Sequence, residues 1–129
     1  MANQVNSNPS HSSICILSSD RIFASLLAGL FRDKFYISVA PNAEQVELSL
    51  ERERMTLVLA DANELTPSLI STLNSKRKTA GGFPHILIFL SSGDTRDILT
   101  QCIPIADRVL TKPPGTEEIM RAVVEMTMR

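Results

Sequence analysis

In this sequence, side chains suited to phosphoryl chemistry stand directly after short apolar runs. Asp61 follows TLVLA, Lys112 follows VLT, Ser91 follows HILIFL, and Ser18, Ser19 and Asp20 follow ICIL. A carboxylate, a hydroxyl and a lysine can together receive and hold a phosphoryl group. The carboxylate attacks phosphorus, and the other two neutralise the equatorial oxygens. Such chemistry requires that residues far apart in the chain share one edge of a fold.

The runs that precede these residues are too brief for helices and read as buried strands, over 14–17, 36–40, 56–60, 85–90 and 109–111. Between them the apolar period lengthens to that of helices. Ile22, Phe23, Leu26, Leu27, Leu30 and Phe31 recur in pairs four apart, with Asp20 placed to cap the first turn. Asn42 with Gln45 resembles a capping box ahead of Val46 and Leu50, and Thr66-Pro67 opens a third helix carrying Leu69, Ile70 and Leu73. Lys76, Arg77 and Lys78 end that helix as a solvated terminus where cations suit the dipole. Asp94 begins a short fourth helix with Ile98, Leu99 and Cys102, which Pro104 stops. Thr116 caps the last, with Ile119, Val123 and Met126 inward and Met120 and Met128 as further core filling.

Alternating strands and helices with nearly all-apolar strands demand an α/β fold, a parallel sheet with helices on both faces. In such sheets ligands meet the loops at the carboxyl ends of the strands. That edge collects Ser18, Ser19, Asp20, Asp61, Ser91 and Lys112.

Composition bounds the rest. With 129 residues, 43% hydrophobic and 21% charged, the chain suits one domain with a sizeable core. A net charge of -1 and a pI near 6.1 supply no footprint for nucleic acid. Cys15 and Cys102 are too few and too far apart for a zinc site and read as reduced core thiols in a reducing compartment. Residues 1–12 are polar, lack a signal-peptide core and read as a flexible arm before a domain over 13–129. No apolar stretch spans a bilayer, so a cytoplasmic location is expected.

Two motifs carry a family resemblance. ADRVLTKPPGTEEI resembles the end of a receiver domain of two-component response regulators, where a Lys-Pro pair follows the fifth strand, and TLVLADAN resembles its third strand ending in the phosphorylated aspartate. The resemblance covers about residues 14–126. It implies a flavodoxin-like, CheY-like (βα)5 doubly wound fold with strand order 2-1-3-4-5. It also implies a non-enzymatic role in phosphorelay signalling. Asp61 takes the place of the phosphoacceptor, and Lys112 that of the lysine that pairs with phosphate. Ser91, or its neighbour Ser92, takes the place of the hydroxyl that moves toward the phosphorylated aspartate. The peptide bond before Pro113 is expected to be cis. Magnesium would be held by Asp61, by Asn63 through its carbonyl and by Asp20. The implied partners are a histidine kinase or phosphotransfer protein and a downstream protein, with the chain a monomer or a weak homodimer through helix 4, strand 5 and helix 5.

The chain departs from the family pattern twice. Ser18 and Ser19 stand where the family carries its acidic, metal-holding pair, and Val109 stands where it places a switch aromatic. A neutral hydroxyl is a poor magnesium ligand. Each motif residue also has a plain structural role open to it. Asp61 could cap a turn, Asp20 its helix, Ser91 and Ser92 the fourth helix, and His85 could be a core or strand-edge residue without a metal role. Two functions stay open: a phosphoacceptor, and a pseudo-receiver that binds partners regardless of phosphate. A nucleotide- or cobalamin-binding domain is disfavoured, because SSDRIF follows strand one and no GxGxxG occurs.

Overall fold

A computed structural model describes residues 12–127. The expected arm lies outside the described residues except for Ser12, which opens the first strand. The elements run β1 Ser12–Leu17, α1 Arg21–Phe31, β2 Phe35–Ala40, α2 Ala43–Arg52, β3 Leu57–Asp61, α3 Pro67–Thr79, β4 His85–Leu90, α4 Arg96–Cys102, β5 Arg108–Thr111 and α5 Thr116–Thr127. Short 3-10 turns follow β3, at Ala62–Glu64, and α4, at Ile103–Ile105.

The five strands form one parallel sheet, as their apolar pattern predicts, in the order β2-β1-β3-β4-β5 that the family resemblance implies. Alternate strand residues feed opposite faces. Cys15, Val58, Ala60, Ile86 and Ile88 pack with α2, α3 and α4, whereas Ile16, Leu57, Leu59, Leu87 and Phe89 pack with α1 and α5. All five residues of β3 are buried, as a central parallel strand requires.

Helix phase differs from the expectation in α1. Its buried stripe is Ala24, Leu27, Ala28 and Phe31, at the i, i+3, i+4, i+7 spacing of one helix face. Ile22 and Leu26 therefore point outward, 83% and 46% exposed. Small alanines are invisible to a search for large apolar residues, yet here they let the helix approach the sheet.

Two helix starts are corrected, those of α4 and α5, and two stand as expected, those of α2 and α3. Thr95, not Asp94, caps α4, its hydroxyl accepting from the Ile98 N–H at 3.3 Å, while the Asp94 carboxylate accepts from the Ser91 N–H. Thr116 lies within α5. Gly115 takes the cap position, its carbonyl accepting from the Ile119 N–H and its own N–H donating to Glu118. Asn42 caps α2 through the Gln45 N–H at 3.0 Å, and Thr66 caps α3 through the Leu69 N–H.

Met126 is buried as expected, but Met120 is 40% exposed, because it falls outside the Ile119, Ala122, Val123 and Met126 stripe. Met128 lies outside the described residues. Arg77 is not simply solvated. It donates to the Pro84 carbonyl and pairs with Asp107, whose carboxylate also accepts from the Ile86 N–H at 2.7 Å. That cluster ties α3 to the starts of β4 and β5. His85 stands in it as a half-buried strand residue, its ring edge-on to Phe83 at 4.9 Å.

Candidate functional site

Register brings the site together. Leu17 lies opposite Ala60, so the next residue of each strand, Ser18 and Asp61, emerges side by side. Thr111 lies opposite Leu90, and the Lys112 N–H donates to the Leu90 carbonyl at 2.7 Å, which sends the lysine over the same edge. The Lys112-Pro113 peptide bond is cis. A second cis bond, Phe83-Pro84, lies at the opposite edge of the sheet and carries no sequence signal beyond its proline.

Asp61 is 5% exposed. The Lys112 Nζ lies 2.8 Å from its Oδ1, and the Ser18 hydroxyl donates to its Oδ2 at 2.6 Å. The lysine is in ion-pair range without the direction of a hydrogen bond, so Oδ1 is left with no well-aligned donor. The pairing still answers the main cost of burial, since a carboxylate withdrawn from water needs a nearby countercharge.

Lys112 is held from a second side. Its Nζ sits 4.2 Å from the centroid of the Phe23 ring, and that ring meets Phe89 edge-on at 4.9 Å. A cation over an aromatic face contributes from about 0.5 kcal/mol when exposed to about 2 when desolvated. Phe23 has no place among the site residues expected from the sequence. Its signal is indirect: once Asp20 caps the helix, Phe23 is the third residue on, where the first turn faces the sheet edge.

Of the residues expected to hold magnesium, Asp20 has its carboxylate committed elsewhere. The Asp20 carboxylate is exposed and accepts from the Ile22 and Phe23 N–H groups, both at 3.1 Å, which is the work of a helix cap. Ser18, itself buried, donates its hydroxyl proton to Asp61 Oδ2 and accepts from the Asp20 N–H at 3.1 Å. Ser19 donates to Glu64 at 2.6 Å, and Asn63 is exposed in the turn after β3. Among the described residues no cluster of three or more histidine, cysteine, aspartate or glutamate side chains could hold a metal. Magnesium asks for near-octahedral oxygens drawn largely from carboxylates and water. This donor set does not fit it.

Ser91 and Ser92 follow β4, and the Ser91 backbone is held by Asp94, its N–H donating to the carboxylate and its carbonyl accepting from the Asp94 N–H. The Ser91 hydroxyl is not joined to Asp61. Val109, 38% exposed on β5, offers no ring. The two thiols are buried and free. Burial pushes Cys15 up to about 11, with Ser38 opposing and Glu53 adding to the shift, and burial likewise raises Cys102, with Asp94 adding. The Cys102 thiol lies 3.7 Å from the carbonyl of Ala62, next to Asp61.

No sequence model of a known protein family matches the chain, and no curated protein sequence matches it. Solved structures do. A response regulator receiver domain protein (CheY-like) from Methanospirillum hungatei JF-1 superposes with a TM-score of 0.76 at 16% identity, over 92% of this chain and 95% of that one. The signal receiver domain of an HD domain-containing protein from Pseudomonas fluorescens Pf-5 gives 0.75 at 16%, over 99% and 92%. A response regulator from Thermotoga maritima gives 0.72 at 16%, over 92% and 99%. With five parallel strands in the order 2-1-3-4-5 and a helix after each, the chain has the fold of the CheY-like response regulator receiver domains.

Proposed function

We propose that the chain is a receiver-type signalling domain that acts through protein contacts, with Asp61 held as a metal-free polar cluster and not used as a phosphoacceptor. One observation carries this reading. The Ser18 hydroxyl donates to Asp61 Oδ2 at 2.6 Å, while the Asp20 carboxylate is spent on its own helix. The domain is then a non-enzymatic interaction module whose output reaches a downstream protein. A cytoplasmic setting accords with two free, buried thiols. Among the described residues no helix is long and apolar enough to cross a membrane. Val109, Met120 and Val124, each more than a third exposed on β5 and α5, supply apolar surface for a partner or a weak homodimer through α4, β5 and α5.

The 2.8 Å approach of Lys112 to Asp61 favours a second reading. Here Asp61 accepts a phosphoryl group from the phosphohistidine of a kinase or phosphotransfer protein. A carboxylate oxygen bonds to phosphorus as the phosphorus–nitrogen bond breaks, and Lys112 balances the added charge.

Incubation with acetyl phosphate and MgCl2, followed by intact-mass analysis, separates the two. The first reading expects an unchanged mass while a control receiver gains one phosphoryl group. A gain that disappears in Asp61→Asn overturns it in favour of the second.

A further inference from the structure

The Asp61–Lys112 pair needs a route to the outer surface if its state is to matter to a partner. Val109 lacks a ring and is already 38% exposed, so β5 offers no side chain able to swing between buried and exposed positions. An aromatic does touch the pair, on a different element. Phe23 of α1 lies under the Lys112 ammonium at 4.2 Å and is braced from within by the edge of Phe89 at 4.9 Å. Phe89 is 1% exposed and cannot yield, which leaves the outward side as the direction in which the Phe23 ring can move.

That outward side is a mostly apolar cleft of about 310 Å³ between α1 and the segment after β5, walled by Ile22, Leu26, Pro113 and Pro114, with Phe23, Lys112 and the helix-capping Asp20 also lining it. Two of its walls, Ile22 and Leu26, are among the most exposed large apolar side chains of the molecule. Charge on the lysine, ring and exposed apolar surface are thus in direct succession over one turn of helix.

We infer that Phe23 is a positioning residue that holds Lys112 against Asp61 and transmits the charge state of that pair to the Ile22 and Leu26 surface of α1. The inference rests on the receiver-type reading of the domain and on the Asp61–Lys112 ion pair seen at 2.8 Å, and it requires no phosphoryl transfer. In an Asp61→Asn variant Lys112 loses its charged partner and the ammonium leans more on the ring face, because cation and quadrupole still attract. The ring then resettles toward the cleft that Ile22 and Leu26 wall.

Methyl-resolved NMR of the whole chain tests this. Asp61→Asn is expected to shift the Ile22 and Leu26 methyl resonances and to leave Val109 in place. In a Phe23→Leu background, which keeps an apolar side chain but removes the ring, the same Asp61→Asn change is expected to lose its effect at Ile22 and Leu26. Phe23→Tyr, which retains the ring face, is expected to restore it. An undiminished response in Phe23→Leu, or a response larger at Val109 than at Ile22 and Leu26, overturns the inference. Should Asp61→Asn not fold, Lys112→Gln takes the cation off the ring face, and its effect on the Ile22 and Leu26 methyls is likewise expected in the wild-type background and expected to be lost in Phe23→Leu. None of these spectra involves a phosphoryl donor, so they stand or fall apart from the intact-mass result.

Discussion

Ser18 does for Asp61 what a metal does in a site built on acidic residues: it satisfies one carboxylate oxygen in a buried place. The hydroxyl is 2.6 Å from Oδ2, and both residues are almost wholly withdrawn from solvent. A buried acceptor that loses its only good donor keeps its desolvation cost, typically about 1–3 kcal/mol. Ser18→Ala is therefore expected to lower unfolding stability by that order, read as a lower urea midpoint with unchanged slope. MgCl2 is not expected to recover the loss, because the alanine variant gains no ligand. A serine that merely fills a turn would show almost no loss. The types of Asp61 and Lys112 were legible in the sequence because a carboxylate and a lysine after buried strands have few other uses. The role of Ser18 was not, since a hydroxyl declares no partner until the neighbouring strand is in register.

At the scale of elements, Asp20 decides between two uses of one carboxylate. It accepts from two backbone N–H groups at the start of α1, and these would otherwise lack intrahelical partners. Asparagine caps about as well as aspartate, whereas alanine costs about 1 kcal/mol. Asp20→Asn is thus expected to melt close to the wild type and Asp20→Ala several degrees lower, measured by circular dichroism. A carboxylate needed for charge would make the asparagine variant as damaging as the alanine one. The same helix shows the limit of reading faces from large apolar residues. Pairs four apart suggest a stripe through Ile22 and Leu26, but the buried face runs through Ala24, Leu27, Ala28 and Phe31, which leaves those two side chains facing outward.

For the molecule as a whole, the core is a buried parallel sheet between two helical layers, and its thiols tie stability to alkaline pH. Cys15, fully buried in β1, is raised from an ordinary 9.0 to about 11 by burial. Between those values the unfolded chain releases the Cys15 proton while the folded chain retains it. The folded state then binds more protons, so unfolding free energy falls as pH rises. The stability contributed by the neutral thiol is complete below pH 9 and is lost progressively toward pH 11, a drop on the order of 2–3 kcal/mol from this residue. Chemical denaturation across that range is expected to show a shallower decline in Cys15→Ala than in the wild type, although the alanine variant starts from lower stability. Parallel slopes for the two proteins would mean that the thiol titrates alike in both states.

The sequence by itself determined the alternation of short apolar strands with capped, amphipathic helices, and with it the parallel sheet and the edge where Asp61 and Lys112 meet. These follow from local physics: side-chain period, N-cap residues and the need of an all-apolar strand to be covered on both faces. Only the tertiary structure decided how the residues of that edge are used. Ser18 reaches Asp61 because β1 and β3 are in a particular register, Phe23 lies under Lys112 because α1 buries the face through Ala24, Leu27, Ala28 and Phe31, and Arg77 finds Asp107 across thirty residues of chain. Each of these depends on a fraction of a helical turn or a single step of strand register, which the packing of distant segments sets and no local pattern contains.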